Sequence, residues 1–277
     1  MGTAQKNSRL VARHAYAFFT RSVRELIRDR TALFWALFFP MVLYISNLYL
    51  FIDYQEYPEA VHPELLAVTA INYGLLGVVA VSLFVFGRQF VDDLERERYR
   101  KFNALSLSSA ADFAGRLFAS TLFGLFAFGI VIAVSIGYGA EYQFRSAASF
   151  PLALVAVIVL ILVWIVFGIL MAAILEDTQS VTVIAVGFVM TAFLVTGFNG
   201  GNPEYFAPDA ELLNLLPVTL PTRVLIHHLV DVNPGAVVPE GVDIPSQPGA
   251  REYFILVHYG ILAFTGGLYL LDSARGE

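Results

Sequence analysis

Six long apolar runs, none with a charged residue in its interior, dominate this 277-residue sequence. They cover residues 31–52, 65–87, 117–138, 152–175, 181–198 and 253–271. A helix of about 20 residues crosses the hydrocarbon core of a bilayer, where a helix satisfies its own backbone hydrogen bonds. The run 181–198 is the shortest and lies near the lower limit for a span. The pattern predicts an all-α membrane protein with six transmembrane helices, organised as one transmembrane domain over residues 1–277.

The basic residues are concentrated on one side of this six-span arrangement. Most of the 17 lysines and arginines lie before the first run, between residues 88 and 116, or at the C-terminus. Basic flanks stay in the cytoplasm, so we expect a multi-pass protein of the cell membrane with both termini cytoplasmic. The polar stretch before the first run and the length of that run favour an uncleaved anchor over a signal peptide.

Residues 8–30, ahead of the first span, have the periodicity of an amphipathic helix. One stripe at 100° per residue is apolar: Ala12, Tyr16, Phe19, Val23, Leu26 and Ile27. The opposite side is charged: Arg13, Arg21, Arg24, Glu25 and Arg28. This pattern predicts an interfacial helix that lies flat on the cytoplasmic leaflet and contacts membrane lipid.

Prolines and small residues mark three further features of the spans. Pro40 is expected to kink the first span. Gly129, Ala133 and Gly137 recur every four residues in the third span, a spacing that allows close packing, more readily within the chain than between two chains. The segment 199–252 carries eight of the twelve prolines, and its apolar middle, 212–230, is interrupted by them. We expect short re-entrant or outer helices there rather than a seventh span.

The sequence has few groups that could carry chemistry. It has no cysteine, and its two lysines, Lys6 and Lys101, do not follow a glycine, so there is no phosphate-binding loop. The His227-His228 pair with Asp231 raises the hypothesis of a metal site, but zinc needs three or four ligands and nothing nearby completes the set. We therefore predict no metal site, no catalytic residue and no cofactor bound by this chain. Because the spans lack internal carboxylates and lysines, we expect any driving force to come from a partner.

The loop between the second and third spans, residues 88–116, carries the strongest functional signal. It contains the run Glu-Arg-Glu-Arg at 95–98 and a leucine- and serine-rich stretch at 105–109. The spacing of its charges favours a short charged helix on the cytoplasmic side. From physics alone, the loop could equally be a solvated flank that fixes the topology.

The order of these elements resembles the permease subunit of type-2 ABC exporters. The resemblance rests on the basic amphipathic N-terminal helix, the six spans, the Glu-Arg-Glu-Arg segment with its Leu-Ser-rich sequel, and the proline-broken segment between spans five and six. In that family the loop follows a pattern of Arg-Glu, Gly-Thr and then Pro. Here Arg100 stands where the glycine is expected, and Ser108 or Ser109 where the proline is expected.

The resemblance implies a dimer of two permease subunits, identical or different, each coupled to a nucleotide-binding ATPase subunit that holds ATP and Mg²⁺. It assigns the coupling role to seven residues of the loop: Glu95, Arg96, Glu97, Arg98, Arg100, Lys101 and Leu105. It assigns the translocation path to spans two and five, with six residues: Asn72, Leu76, Phe84, Thr191, Leu194 and Phe198. The cargo would be an amphipathic, lipid-like or polysaccharide molecule moved outward, and no nucleic acid partner is expected.

Two other functions compete with this one. The same basic loop could dock other proteins if the chain were a standalone carrier or an accessory, scaffolding membrane subunit. A membrane enzyme would need acid, base or metal groups at one depth, and the sequence offers none.

Overall fold

The computed structural model describes residues 2–50, 57–175, 178–195, 215–231 and 248–276, and all regular structure in them is helical. This confirms the predicted all-α class. The helices are α1 (Gly2–Arg28), α2 (Arg30–Leu50), α3 (Glu59–Glu95), α4 (Arg98–Ala104), α5 (Ser109–Gly137), α6 (Ser149–Ile174), α7 (Thr178–Val195), α8 (Thr219–Leu229) and α9 (Ala250–Gly276).

Five of these helices, α2, α3, α5, α6 and α9, are long and apolar enough to cross a membrane. The run 181–198 forms α7, whose described apolar part, Val183–Phe193, is shorter than a full span. The described helices therefore support five spans, and the count of six stays a prediction.

Helices α3 and α5 extend well beyond the apolar runs that predicted them. The run 65–87 lies within a helix that continues to Glu95, and the run beginning at 117 belongs to a helix that begins at Ser109. Hydropathy marks only the part of a helix that meets hydrocarbon, whereas backbone hydrogen bonding continues into the polar flanks. These extensions form, with α1 and α4, one polar end of the bundle, which we call the charged end.

The centre of the bundle is α3. In its most apolar stretch 81% of the residues are buried, against 22% in α9. Helices α5 and α6 pack against α3, α9 packs against α6, and α8 packs between α6 and α3. The backbones of α3 and α6 come together at Gly87 and Gly168, where a Cβ on Gly168 would lie 3.2 Å from the Gly87 Cα.

Two helices of the bundle contain wide, π-helical turns. One covers Phe34–Phe38 in α2, directly before Pro40, and the other covers Leu83–Arg88 in α3. Proline has no N–H to donate to the preceding turn, so a distortion before Pro40 has a direct cause. The structure thus has a local change in helix type before Pro40, and the kink itself stays a prediction.

Helix α1 is present as predicted, but its faces are divided differently. It packs against α5 through Phe18, Ser22 and Leu26, all buried. Tyr16 and Ile27, from the predicted apolar stripe, are 69% and 54% exposed.

The charged side of α1 also differs from the expectation. Arg21 and Glu25, predicted on the charged side of a helix that lies on lipid, are half-buried in ion pairs with each other and with Asp93 and Arg98. The long-range partners of these two side chains are not visible in the helical periodicity.

The predicted stripe of small residues in α5, at positions 129, 133 and 137, packs against no other helix in the described part of the chain. A Cβ on Gly129 or Gly137 would meet no atom within 4 Å, and Ala133 is exposed. The expectation of intramolecular packing at this stripe was therefore wrong. In contrast Gly115, which was not singled out, lies directly under α1.

Only part of the segment 199–252 falls in the described residues, and it forms the short helix α8. Its 11 residues rise about 16 Å at 1.5 Å per residue, too little to cross a bilayer. Most of its side chains, including Arg223, are buried against the neighbouring helices. A short helix in place of a seventh span agrees with the expectation from the prolines.

Candidate functional site: the charged end and an apolar cavity

The short helix α4 is held between two residues with left-handed backbone conformation. Glu97, just before it, has φ 50°, and Ser106, just after it, has φ 52°. L-residues adopt this region at a cost, so both turns depend on their surroundings. They set the direction in which α4 leaves α3 and returns to α5.

One face of α4 is anchored by aromatic packing. Tyr99 is 4% exposed, and its ring centroid lies 5.6 Å from that of Phe90 in α3. Phe102 meets Phe18 of α1 edge-to-face at 5.3 Å, and the Arg21 guanidinium lies 5.4 Å from the Phe102 ring centroid. Edge-to-face and cation–π contacts stabilise such clusters by about 0.5–1.5 kcal/mol each. The helix is thus attached to both α1 and α3.

A buried carboxylate joins the same elements through ion pairs. Asp93 in α3 is fully buried and accepts hydrogen bonds from three guanidinium groups. Arg116 Nη2 of α5 donates to it at 2.5 Å and Arg98 Nη1 of α4 at 2.7 Å, and Arg21 of α1 also donates. Asp93 therefore connects four helices at one point.

Arg116 extends this network within α5. It is 1% exposed, and its Nε donates to Asp112, one turn earlier, at 2.8 Å. Buried charges persist only when they are paired and hydrogen-bonded. Breaking one partner of such a pair is far more costly than losing a surface ion pair.

The electrostatics of the cluster keep its arginines charged. Burial by itself lowers the pKa of Arg21, but the hydrogen bond to Asp93 and the charge of that carboxylate outweigh burial and raise the pKa above its usual value. The cluster is therefore an ionised network and not a set of groups poised to exchange protons.

The opposite face of α4 and its flanks are open to solvent. Arg100 and Glu97 form an exposed ion pair at 2.9 Å with side chains 79% and 63% exposed, and Lys101 is exposed. Leu105, directly after α4, is 69% exposed and adds an apolar side chain to this charged surface. An anchored helix with one charged, partly apolar face outward is suited to contact another protein.

The structure sorts the predicted coupling residues into two groups. Arg98 points into the Asp93 network, whereas the other six are exposed: Glu95, Arg96, Glu97, Arg100, Lys101 and Leu105. Sequence reasoning missed Asp93, Tyr99 and the pair Asp112 and Arg116. The i, i+4 spacing of Asp112 and Arg116 could have indicated an ion pair within the helix. Nothing in the sequence indicated that this pair lies next to Asp93 and Arg21.

A separate, mostly apolar cavity of about 440 Å³ lies among α2, α3, α6 and α7. Its walls include Trp35, Pro40, Leu76, Leu83, Met171 and Val189. Arg88 and Thr31 are the polar side chains that line it. A volume of this size is within the range of small-molecule sites.

Of the predicted path residues, Leu76 lines this cavity. Asn72 is buried one turn away, and Thr191 is exposed with its hydroxyl donating to the Gly187 carbonyl at 2.9 Å. The side chains of Phe84 and Leu194, and the whole of Phe198, lie outside the described residues. The transport role of all six stays a prediction.

The histidine pair of α8 lies at the other end of the bundle. His228 is held between Ser149 of α6, at 3.1 Å from Nδ1, and Tyr253 of α9, at 2.7 Å from Nε2. Burial, and secondly the charge of Arg145, lowers the pKa of His228. The described residues contain no group of three metal-ligating side chains, and both ring nitrogens already have hydroxyl partners. His228 thus fastens α8 to its neighbours.

One known protein family matches a stretch of the chain that includes the apolar cavity and most of the charged end. The family model of the ABC-2 type transporter matches residues 13–199, from within α1 to beyond α7. That stretch contains the Asp93 network with its partners in α1, α4 and α5, and every helix that lines the cavity. The chain belongs to the ABC-2 type transporter family. No curated protein matches the chain at a significant level.

Membership confirms the resemblance read from the sequence. The chain is an ABC-2 permease, a multi-pass integral membrane protein whose membrane domain is not itself catalytic. ABC-2 permeases generally work with an ATPase subunit and form dimers. The match ends at residue 199, so α8 and α9 lie beyond the part of the ABC-2 permease that the family model covers.

Proposed function

We propose that this chain is the membrane-spanning subunit of an ATP-driven exporter of the cell membrane, with both termini and the charged end in the cytoplasm. A separate nucleotide-binding subunit binds ATP and Mg²⁺ and hydrolyses the ATP, and a second permease subunit completes the dimer. The exposed face of α4 is the contact for the nucleotide-binding subunit.

The observation that carries this proposal is the two-sided character of α4. Arg100, Lys101 and Leu105 face outward, while Asp93 and Tyr99 fix the helix from behind. Displacement of α4 by a partner is therefore transmitted to α3, where Asp93 sits, and to α5 through Arg116. A flexible loop with the same charges would absorb the displacement instead.

The link from α4 to the cargo runs along α3. This helix carries Asp93 at the charged end, and Arg88, Leu83 and Leu76 on the cavity wall. Because one continuous helix carries both, movement of α4 changes the cavity. The apolar lining favours an amphipathic or lipid-like cargo over a polysaccharide, which would need many hydrogen-bonding groups.

A reconstituted ATPase assay tests the proposal. The chain is purified from its native membrane to identify the nucleotide-binding protein that accompanies it. The two are then co-expressed and reconstituted in liposomes, and the rate of ATP hydrolysis is compared with that of the nucleotide-binding protein alone. Replacing Arg100 and Lys101 with glutamate, or Leu105→Asp, is expected to abolish the stimulation without lowering the melting temperature, since these side chains are exposed.

The single variant Arg100→Glu is compared with Arg251→Glu, the matched control, which makes the same charge change at an exposed position at the start of α9. Stimulation unchanged in the α4 variants would contradict the proposal. If the chain were instead a standalone carrier or a scaffolding subunit, no nucleotide-binding protein would co-purify with it in equal amount from its native membrane.

A further inference from the structure

The cavity among α2, α3, α6 and α7 has a polar end built around one arginine. Arg88 lines the cavity and is 41% exposed at its side chain, and its Nη1 donates to Asp29 Oδ2 at 2.7 Å. Thr31 is the other polar side chain on the wall. The site therefore combines an apolar interior with a single cationic group at one end.

We propose that this cavity binds a single-chain amphiphile with an anionic head group, taken from the leaflet on the side of the charged end. The aliphatic chain lies among Trp35, Leu76 and Val189, and the head group binds the Arg88 guanidinium. As cargo, this ligand depends on the proposed function; as a binding site, it stands on the geometry alone.

Charge complementarity selects the head group. A guanidinium presents paired donors that suit carboxylate and phosphate oxygens, and it repels a cationic head. The apolar wall lowers the local dielectric constant on one side of the guanidinium, so this preference is stronger than on a fully open surface. An uncharged chain would gain only the apolar contacts.

Arg88 can leave Asp29 for a ligand head group at a small cost in free energy. Asp29 Oδ1 accepts the backbone N–H of Ala32 at 2.9 Å and so caps the start of α2, while Oδ2 holds Arg88. When a ligand takes Arg88, Asp29 keeps its capping bond. Since the Asp29 side chain is 32% exposed, water solvates the released oxygen. The ion pair at the mouth can thus open without leaving a buried charge unpaired.

The backbone around the cavity shows a second, independent sign of a binding site. Both π-helical turns of the structure's described part, Phe34–Phe38 and Leu83–Arg88, contribute to its wall through Trp35 and through Leu83, Gly87 and Arg88. Such turns are uncommon and are frequent at functional sites, because they widen a helix locally and redirect side chains. Here the two π-helical turns, one in α2 and one in α3, line the same cavity.

Quenching of tryptophan fluorescence tests the proposal directly. The chain has two tryptophans, Trp35 on the cavity wall and Trp164, which is 2% exposed in α6. In a Trp164→Phe background, Trp35 is the reporter. The full chain is placed in phosphatidylcholine nanodiscs and titrated with bromine-labelled dodecyl phosphate, and with labelled chains that carry a neutral or a trimethylammonium head.

Dodecyl phosphate is expected to give saturable quenching on top of the linear background from the bilayer, and the cationic chain only the background. Arg88→Gln should weaken the saturable phase by roughly tenfold or more, the size of one lost charge-assisted hydrogen bond. Arg24→Gln is the matched control, since it removes an equal charge from an exposed position on α1 outside the cavity. It should leave the saturable phase unchanged.

A second variant guards against a folding defect in Arg88→Gln. Ala185→Leu, on the α7 wall, adds three carbon atoms to the lining and narrows the cavity without touching its charge, so it should weaken the saturable phase. Saturable quenching that is unchanged in Ala185→Leu, that ignores the head group, or that is equal in Arg88→Gln and Arg24→Gln would overturn the proposal. No nucleotide-binding subunit is present in this assay, so its result is separate from that of the ATPase test.

Discussion

The strongest prediction concerns Asp93, the buried carboxylate that joins four helices. In Asp93→Asn the side chain keeps its shape and loses its charge, so Arg116, at 1% exposure, keeps only Asp112 as an ionic partner. Removing one partner of a buried ion pair costs roughly 3–5 kcal/mol. Arg21 and Arg98 are about one quarter exposed, so water screens them and each adds less than about 1 kcal/mol. Because Arg116 keeps Asp112, its share lies at the lower end of the range for a broken buried pair, and we expect a total loss of about 3–5 kcal/mol.

Thermal unfolding of the detergent-solubilised chain measures this loss. For a chain of this size each 1 kcal/mol lowers the melting temperature by roughly 2 °C, so Asp93→Asn should melt on the order of 6–10 °C below the wild type. Cleavage by trypsin after Arg100 and Lys101 should also accelerate, because α4 loses the bond that holds Arg98.

The neighbouring residue supplies the matched control. Asp92→Asn makes the same chemical change at a carboxylate that pairs with Arg96 and Arg98 but is 29% exposed. Exposed pairs contribute about 0–1 kcal/mol, so its melting temperature should fall by no more than about 2 °C. Equal melting temperatures for the two variants would refute the argument that burial makes Asp93 the anchor of α4.

Further predictions concern packing and pH. Gly115→Ala should destabilise the chain by roughly 1–3 kcal/mol in the same thermal assay, since its Cβ would lie 2.6 Å from the Ala15 carbonyl oxygen; Gly129→Ala, with open space, should be neutral or slightly stabilising. Burial, and then the charge of Arg145, lowers the pKa of His228 in the folded chain. The unfolded chain therefore takes up a proton more readily than the folded chain. The folding stability should be full above pH 6.5 and should fall as the pH drops below that value. His228→Gln should flatten this decline when melting temperatures are compared between pH 8 and 5, and an identical decline in the variant would contradict it.

The fold was predictable from the sequence to the extent that hydrocarbon dictates it. Charge-free runs of about 20 residues leave the backbone no choice but a helix, so five of the six runs correspond to helices long enough to span. Helix ends were not predictable in the same way, because beyond the hydrocarbon the apolar signal disappears while the helix continues, as α3 does to Glu95.

The candidate site was only half predictable, for a related reason. Exposed charges such as Arg100 and Lys101 are visible as a local run. Asp93 has its partners 5, 23 and 72 residues away along the chain, and no periodicity connects them. Arg21 shows the consequence: its position on the helical wheel placed it on the charged side of α1, next to lipid head groups, whereas in the structure it pairs with the distant carboxylate of Asp93.

The left-handed residues on either side of α4 have a consequence for how this short helix behaves as a mechanical part. Each holds a non-glycine backbone in a region that costs about 1 kcal/mol or more, which glycine would relieve. Glycine at Glu97 or Ser106 would also let the joint bend freely. In the proposed coupling, these two restrained joints would keep α4 fixed relative to α3 and α5, so that displacement of α4 by a partner would move those helices instead of only bending the loop.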